Sequence, residues 1–193
     1  MDVTSLEIIN SASVLFDRYG ARKTTMEDIA REVGKGKSTL YYYFKNKEEV
    51  FSSVLQYEFD SLAKEINQAG NKEPDALHTM VCFIKELFSR IHRYKNLKSC
   101  LLGEVDGKSK VTASRIKEQF TEWKATAIRN ILINGIDEGT FRKMTASEVE
   151  INCQAISIAL TGLKFILLHE EDRKVTDQKI DNLLSLLFHG ISN

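Results

Sequence analysis

The chain has 193 residues, of which 42% are hydrophobic and 28% charged, and this composition excludes a disordered or fibrous protein. Its formal net charge is zero, so bulk positive charge cannot hold it on nucleic acid, and any such binding requires a local basic surface. The three cysteines are far apart and show no zinc or disulfide spacing, which fits a reducing cytoplasm. We expect no export signal and no membrane span, because the longest apolar run is shorter than the ~20 residues that spanning requires.

A single proline and apolar residues at helical spacing predict an all-α protein with nine helices. The first is expected over about residues 5–19, and the second from a capping box of Thr24 and Glu27 to Gly34. A short third helix follows with Ser38 as its N-cap, and Asn46 caps a fourth at about residues 47–69. The remaining helices are expected over about residues 74–94, 97–105, 109–138, 147–169 (capped by Ser147 with Glu150) and 177–189.

The second and third helices lie in a basic window. Between Arg22 and Lys47 there are seven lysines or arginines and three acidic residues, a local charge of about +4 in a neutral chain. Two short helices around a glycine-containing turn are typical of the helix-turn-helix motif. The window therefore predicts where a duplex would bind.

The residue types of the third helix fit DNA contact. Leu40 and Phe44, four residues apart, are expected to face inward, which turns the three tyrosines between them outward. Lysine, serine and threonine at the helix start can reach phosphates and base edges, and Lys47 can bind a phosphate at the start of the next helix. Each feature alone is more often ordinary packing or a solvated surface, but together they favour DNA binding.

Residues 24–47, TTMEDIAREVGKGKSTLYYYFKNK, resemble the signature of the TetR family of transcriptional regulators. The resemblance implies a nine-helix TetR-like fold, with a three-helix DNA-binding domain at residues 1–47 and a ligand-binding and dimerisation domain at residues 48–193, linked by the fourth helix. The family's DNA contacts fall here on Thr25, Lys37, Ser38, Thr39, Tyr41, Tyr42, Tyr43 and Lys47. The third aromatic position is often histidine in the family, so only the contact made by Tyr43 departs from the pattern.

The last two helices pair with a second subunit in such regulators, which implies a homodimer reading two half-sites of a near-palindromic operator. The corresponding interface residues are Ala155, Ala159, Gly162, Leu163, Ile166, Leu183, Leu184, Leu187 and Phe188. Small residues allow close helix approach, and a helix that is apolar nearly all round needs cover on both sides. A purely intramolecular core is the alternative.

The resemblance also implies an effector pocket among helices four to eight, and an aromatic-rich lining suits a small lipophilic or planar ligand. Candidate lining residues are Phe83, Phe88, His92, Cys100, Phe120 and Trp123. The same residues would equally form the core of a helical domain. By resemblance, effector binding moves the fourth helix and changes the spacing of the two DNA-binding heads, so that a repressor leaves its operator.

Two other functions remain open at this level. A DNA-binding regulator without an effector would have the same motif. A helical-bundle enzyme or metalloprotein is disfavoured because the four histidines form no ligand pattern and no nucleophile or phosphate motif is present. We therefore expect no enzyme activity, no metal and no cofactor.

Overall fold

The computed structural model describes residues 2–105, 107–169 and 178–182, and within these ranges it is helical with no β-strand. The helices are α1 (Val3–Tyr19), α2 (Met26–Val33), α3 (Lys37–Tyr43), α4 (Lys47–Gly70), α5 (Ala76–Arg90), α6 (Lys95–Leu102), α7 (Lys110–Asp137) and α8 (Ala146–His169). Short 3-10 turns occupy Ile91–Arg93 and Gly107–Ser109. Residues 178–182 are helical, and the rest of the predicted last helix lies outside the described residues. The predicted all-α fold class is confirmed.

The chain divides into two compact units, residues 1–61 with 94–119 and residues 62–93 with 120–193. The first unit contains α1, α2, α3, α6 and the first parts of α4 and α7, and its core is apolar. Fully or almost fully buried side chains there are Ile8, Ile9, Ala12, Phe16, Ile29, Leu40, Val50, Phe51, Val54, Leu55 and Leu97. The rings of Phe16 on α1 and Phe51 on α4 meet edge to face with centroids 5.2 Å apart. This core fixes the short helices that carry the candidate DNA contacts.

The second unit closes around α5, α8 and the C-terminal part of α7. After α7, Phe141 turns back into the core, where it is 1% exposed. A Cβ atom on Gly135 would lie 2.2 Å from the Phe141 ring, so this position in α7 admits only glycine. The chain reverses at Gly139, which has a φ of 82° and is the helix stop that the sequence predicts.

Three predicted helix caps are shifted by one or two residues in the structure. The N-cap of α2 is Thr25 rather than Thr24, because the Thr24 hydroxyl is buried and donates to the carbonyl of Gly20 at 3.0 Å. The N-cap of α3 is Gly36, and Ser38 lies inside the first turn. Thr24 and Thr25 have the same hydroxyl group at neighbouring positions, so the sequence pattern fits either of them as the cap of α2.

The α8 cap is the third correction. The predicted pair was Ser147 with Glu150, but the structure uses Thr145, whose hydroxyl accepts from the backbone N–H of Glu148 at 3.2 Å. Glu148 in turn accepts from the backbone N–H of Thr145 at 2.8 Å, which completes a capping box two residues earlier. By contrast, the predicted cap of α4 is confirmed, since Asn46 Oδ1 accepts from Glu49 N–H at 2.8 Å.

Candidate nucleic-acid interface

The turn between α2 and α3 sets the direction of α3. Gly34 ends α2 in the left-handed region, with φ 69° and ψ 29°. The backbone N–H of Lys35 then donates back to the carbonyl of Ala30 at 3.0 Å, the bond of a Schellman motif. The chain leaves α2 in one fixed direction, and α3 begins three residues after the glycine.

α3 buries one face and exposes the other. Leu40 and Phe44 are 1% and 5% exposed, which confirms the predicted inward pair. Tyr42 is 83% exposed and Tyr41 46% exposed, while Tyr43 is half-buried and packs edge to face on Tyr42 with ring centroids 5.1 Å apart. A large aromatic side chain this exposed has lost most of the benefit of burial, and such exposure is typical of a binding surface.

Lys37, the first residue of α3, forms an ion pair with Glu27 in the first turn of α2. The hydrogen bond from Lys37 is the main cause of a lowered pKa at the Glu27 carboxyl, and the pKa of Lys37 is raised by the same contact. Both side chains are more than half exposed. Because exposed ion pairs contribute little free energy, Lys37 can exchange this carboxylate for a phosphate at small cost.

Thr25 uses its hydroxyl within the protein. Its Oγ1 donates to Asp28 Oδ2 at 2.7 Å and accepts from the backbone N–H of Asp28 at 3.1 Å. The bond from Thr25 is the main cause of a lowered pKa at Asp28. A hydroxyl has one proton to donate, so Thr25 cannot donate to a phosphate while it donates to Asp28 Oδ2.

Lys47, at the start of α4, donates from Nζ to the backbone carbonyl of Arg22 at 3.1 Å. This bond ties the turn after α1 to the start of α4. An ammonium group has three N–H donors, so two remain for a phosphate. Ser38 is exposed and Thr39 half-buried, and both lie in the first turn of α3 beside Lys37.

Two further cations of the basic window are paired in the structure. Lys35 contacts Glu7 of α1 at 3.0 Å, and Arg31 pairs with Asp28. Part of the local positive charge that the sequence shows is therefore balanced within the protein. The sequence alone could not locate Glu7, because it lies 28 residues before its partner.

The predicted pocket residues do not all come together. Phe83 and Phe120 are buried and each lies 5.6 Å, centroid to centroid, from the ring of Trp123, which is half-buried. Phe88 is buried in the same unit, and His92 is half-buried in the 3-10 turn that follows α5. The remaining candidate, Cys100, belongs to the first unit, where its thiol donates to the Ala113 carbonyl at 3.4 Å. Three cavities lined wholly by described residues include none of the six candidates.

A buried polar cluster that the sequence pattern did not indicate lies next to Trp123. Lys124 is 5% exposed, and its Nζ donates to Thr161 Oγ1 at 2.9 Å and to the Ser157 carbonyl at 3.3 Å. The buried Ser157 hydroxyl has no hydrogen-bond partner among the described residues. Lysines in the middle of helices are usually exposed to solvent, so nothing in the sequence pattern indicated that Lys124 is buried.

α8 exposes a stripe of apolar or small residues. Ile151 is 61% exposed and Ile158 is 72% exposed, and Ala155 and Gly162 are exposed on the same face. A Cβ atom on Gly162 would meet nothing within 4 Å. The predicted Ala159 and Leu163 are half-buried beside this stripe. The side chain of Ile166 and the predicted Leu183, Leu184, Leu187 and Phe188 lie outside the described residues.

Residues 8–54 match the family model described as bacterial regulatory proteins of the tetR family. This range includes α2, the turn, α3 and the start of α4, the elements that carry the exposed tyrosines and lysines. Over these residues the chain has the DNA-binding domain of the TetR family of transcriptional regulators. TetR-family proteins are DNA-binding regulators and not enzymes, which agrees with the sequence analysis.

Curated relatives are also transcriptional regulators. The chain is 26% identical to the HTH-type regulator YxaF of Bacillus subtilis over 137 residues, which cover 68% of this chain and 72% of YxaF. It is 33% identical over 89 residues to IcaR, the negative regulator of the biofilm operon icaADBC of Staphylococcus aureus, covering 46% of this chain and 48% of IcaR. The chain thus spans about half of IcaR.

Solved structures extend the likeness over nearly the whole chain. A transcriptional regulator from Cytophaga hutchinsonii has 26% identity and a TM-score of 0.76, covering 96% of this chain and 97% of its own. FadR of Bacillus subtilis in complex with stearoyl-CoA has 19% identity and a TM-score of 0.68, covering 94% and 96%. The SmeT–triclosan complex has 16% identity and a TM-score of 0.76, covering 100% and 93%. The last two show the TetR-type fold alone.

Two other kinds of site are absent from the part of the chain that the structure describes. No helix there is long and apolar enough to cross a membrane. No group of three or more histidine, cysteine or acidic side chains in the same residues is arranged to hold a metal ion.

Proposed function

We propose that this TetR-family protein is a homodimeric bacterial repressor that releases a near-palindromic operator when a small lipophilic effector binds. One observation carries the DNA-binding part. α3 places Tyr41 and Tyr42 in solvent over a buried Leu40 and Phe44, with Lys37 at one end and Lys47 just beyond the other. Exposed aromatic and cationic groups on one short helix match what phosphates and base edges in a major groove require.

The proposed contacts differ in role. Ser38 and Thr39 in the first turn of α3 are placed for base edges, and Lys37 and Lys47 for phosphates. The tyrosines supply hydroxyl donors and ring faces for the sugar-phosphate backbone. Thr25 is proposed to contribute through the cap of α2, because its hydroxyl proton is bonded to Asp28.

The α8 stripe supports a homodimer. Ile151, Ala155, Ile158 and Gly162 are spaced by four, three and four residues, which is the spacing of a seam between two helices. Large exposed isoleucines on one such face are unfavourable in water unless a second helix covers them. Two copies related by a two-fold axis would then present two α3 helices to two half-sites.

For the effector, the cluster of Phe83, Phe120 and Trp123 supports a lipophilic or aromatic compound. The complexes of the structural neighbours point the same way, since stearoyl-CoA and triclosan both carry large apolar parts. Release from DNA requires that the effector binds the two conformations with different affinity. We propose repression and not activation because the relative IcaR is named a negative regulator.

We retain residues 1–47 as the DNA-binding domain and residues 48–193 as the ligand-binding and dimerisation domain, with α4 as the link. A regulator of chromosomal DNA acts in the cytoplasm of a bacterium. Neither a cofactor nor a metal is part of the proposal, because every proposed step is a binding equilibrium.

The DNA-binding proposal is tested by footprinting the purified protein on the DNA upstream of its own gene. Tyr42→Ala is expected to weaken binding about tenfold, the effect of losing one good contact of roughly 1.4 kcal/mol. Tyr19→Ala is the matched control, because Tyr19 is also exposed, at 53%, but lies at the end of α1. Equal footprints from both variants and the parent would refute the role of α3.

The effector proposal is tested through Trp123, the single tryptophan of the chain. Stearate, stearoyl-CoA and triclosan serve as probes, and a binding probe should change the fluorescence of Trp123 and release labelled operator at the same concentration. A panel of such lipophilic compounds that changes neither signal would favour the ligand-independent regulator. Fluorescence changes without operator release would contradict the coupling.

A further inference from the structure

The start of α6 is capped by a residue of another helix. The N-cap position of α6, Tyr94, makes no side-chain cap bond. Instead, the backbone N–H of Leu97 in the first turn of α6 donates to Glu58 Oε2 at 2.8 Å. Glu58 belongs to α4 and is 5% exposed. A carboxylate beside the first N–H groups of a helix also interacts favourably with the helix dipole. Glu58 of α4 therefore acts as the N-terminal cap of α6.

The second oxygen of Glu58 extends this link to α1. Glu58 Oε1 accepts from the hydroxyl of Ser13 on α1 and from Nδ2 of Asn96 on α6, both at 2.8 Å. Asn96 is itself 5% exposed, and its Nδ2 also lies 3.1 Å from the Ser13 carbonyl. Glu58, Ser13, Asn96 and the Leu97 N–H form what we call the Glu58 cluster. It joins three helices of the first unit around one carboxylate.

The Glu58 cluster should be destabilised by the loss of any one of its hydrogen bonds. Its three donors to the carboxylate are neutral, and no lysine, arginine or histidine lies within salt-bridge distance of Glu58 among the described residues. Burial raises the pKa of Glu58, and the three hydrogen bonds oppose this. The charge of Asp17 on α1 also raises that pKa, and Asp17 is itself paired with Lys95 of α6 at 2.9 Å. A buried carboxylate depends on all its donors, and losing one is costly.

The same helices hold the candidate DNA contacts. α4 starts with Lys47, about three helical turns before Glu58. α1 packs against α2 and is tied to the turn before α3 by the contact of Lys35 with Glu7. A cavity of about 250 Å³ in this unit, lined by Phe16, Asn96 and Ser99, leaves space beside α6. This space adjoins α6 at the point where α6 is bonded to α1 and α4.

We propose that Glu58 is a positioning residue for operator binding, which holds α1 and α4 at the spacing that DNA contact requires and makes that spacing depend on the position of α6. This inference rests on the proposed function. A shift of α6 breaks the bonds from Leu97 and Asn96 to Glu58 and frees the end of α4 that carries Lys47. Operator affinity then depends on a residue far from the DNA.

Glu58→Gln is the first test. A glutamine has one acceptor oxygen and an amide N–H group, so in either orientation it sets a donor against Leu97 N–H or against Asn96 and Ser13. We expect the folded variant to bind the operator about tenfold more weakly, the consequence of one unsatisfied buried group. Ser13→Ala, which removes one donor of three, should weaken binding by a smaller factor. Fluorescence anisotropy with labelled operator measures both.

Asn96→Asp gives a second and independent readout. It places a carboxyl group at hydrogen-bond distance from Glu58, and two such groups share one proton at low pH and repel each other when both are ionised. Operator affinity of this variant should approach that of the parent at about pH 6 and fall as the pH rises to about 8, whereas the parent shows no such fall. A residue that serves stability alone would not give a pH-dependent operator affinity in the folded protein.

The control is Ile128→Val, a small loss of packing in the second unit at a residue that is fully buried. Circular dichroism at the assay temperature establishes that each protein is folded. Operator binding by Ile128→Val together with weak binding by Glu58→Gln and a pH-dependent Asn96→Asp supports the proposal. Parent-like affinity in folded Glu58→Gln, or a flat pH profile in Asn96→Asp, overturns it. Failure of the parent itself to bind operator would instead refute the proposed function.

Discussion

Lys37 at the start of α3 is bonded to Glu27 in the first turn of α2, so an ion pair joins the N-terminal ends of the two helices of the motif. The lysine best placed for a phosphate is thus occupied by a carboxylate of the same protein. Because the side chains of both residues are more than half exposed, solvent screens the pair and the exchange is reversible. Substitution of Glu27 should therefore change the affinity for DNA, although Glu27 itself need not touch DNA.

Glu27→Gln is expected to strengthen operator binding about two- to fivefold at low salt, since an exposed pair of up to about 1 kcal/mol no longer competes with the phosphate. The measurement is a set of operator dissociation constants over a range of salt concentrations. Glu32→Gln is the control, because it removes the same charge from α2 at an exposed position that has no contact with Lys37. Equal effects of the two variants would mean that general charge, and not the pair, sets the change.

Thr25→Ala should lower the stability of the protein by about 1 kcal/mol, the usual effect of losing a threonine N-cap. The reason is that Thr25 Oγ1 accepts from the Asp28 N–H and donates to the Asp28 carboxylate. Thermal denaturation followed by circular dichroism gives the change. Thr25→Ser, which keeps the hydroxyl, should restore both stability and operator affinity. If Thr25→Ala were as stable as the parent but bound DNA weakly, the hydroxyl would act on DNA and not on the cap.

Ile158→Asp should produce a monomer and abolish tight operator binding, because it places a charge in the middle of the α8 stripe. Light scattering coupled to size-exclusion chromatography measures the mass. Val111→Asp is a matched control, since Val111 is 72% exposed, as is Ile158, but lies at the start of α7. A dimeric Ile158→Asp protein would show that the stripe is covered by something other than a second copy.

The stability of the parent relative to Glu58→Gln should rise as the pH falls. Burial raises the pKa of Glu58 above its ordinary value of 4.5, so the folded state takes up a proton before the unfolded state does. The contribution is complete below the unfolded pKa and is lost as the pH rises through the folded pKa. Urea denaturation of both proteins between about pH 4.5 and about pH 7.5 gives the difference in unfolding free energy. The lowered pKa values of Glu27 and Asp28 act with the opposite sign, but they are common to both proteins.

A difference that stays constant over this range, or that falls as the pH falls, would contradict the prediction. It would mean that the bonds from Ser13, Asn96 and Leu97 stabilise the ionised carboxylate more than burial destabilises it.

Local features of the interface could be predicted from the sequence. Leu40 and Phe44 are four residues apart on one helix, and helical geometry alone then turns Tyr42 outward. The exact caps could not be predicted, because Thr24 with Glu27 and Thr25 with Asp28 both have capping-box spacing. Only the burial of Thr24 and its bond to Gly20 decide between them.

Contacts between residues that are far apart in the chain could not be predicted from the sequence, for a different reason. Glu58 lies on a helix where its neighbours are apolar, and its donors are 38 to 45 residues away along the chain. Lys124 is similar, since its acceptors on α8 are 33 and 37 residues away. Helical periodicity predicts which face of one helix is buried, but the choice of partner on another helix depends on packing that no local pattern records.

The ion pairs on the proposed DNA-binding surface also bear on how such a protein would search a chromosome. Lys37, Lys35 and Arg31 each form an ion pair with a carboxylate of the protein itself. On a sequence where α3 cannot dock, the phosphates offer these cations little more than their own carboxylates do, and the protein should leave quickly. On a matching sequence the contacts of the tyrosines and of Ser38 add to the exchange. A neutral chain arranged in this way would spend little time on wrong sites, and it would give up a small part of its affinity for the right one.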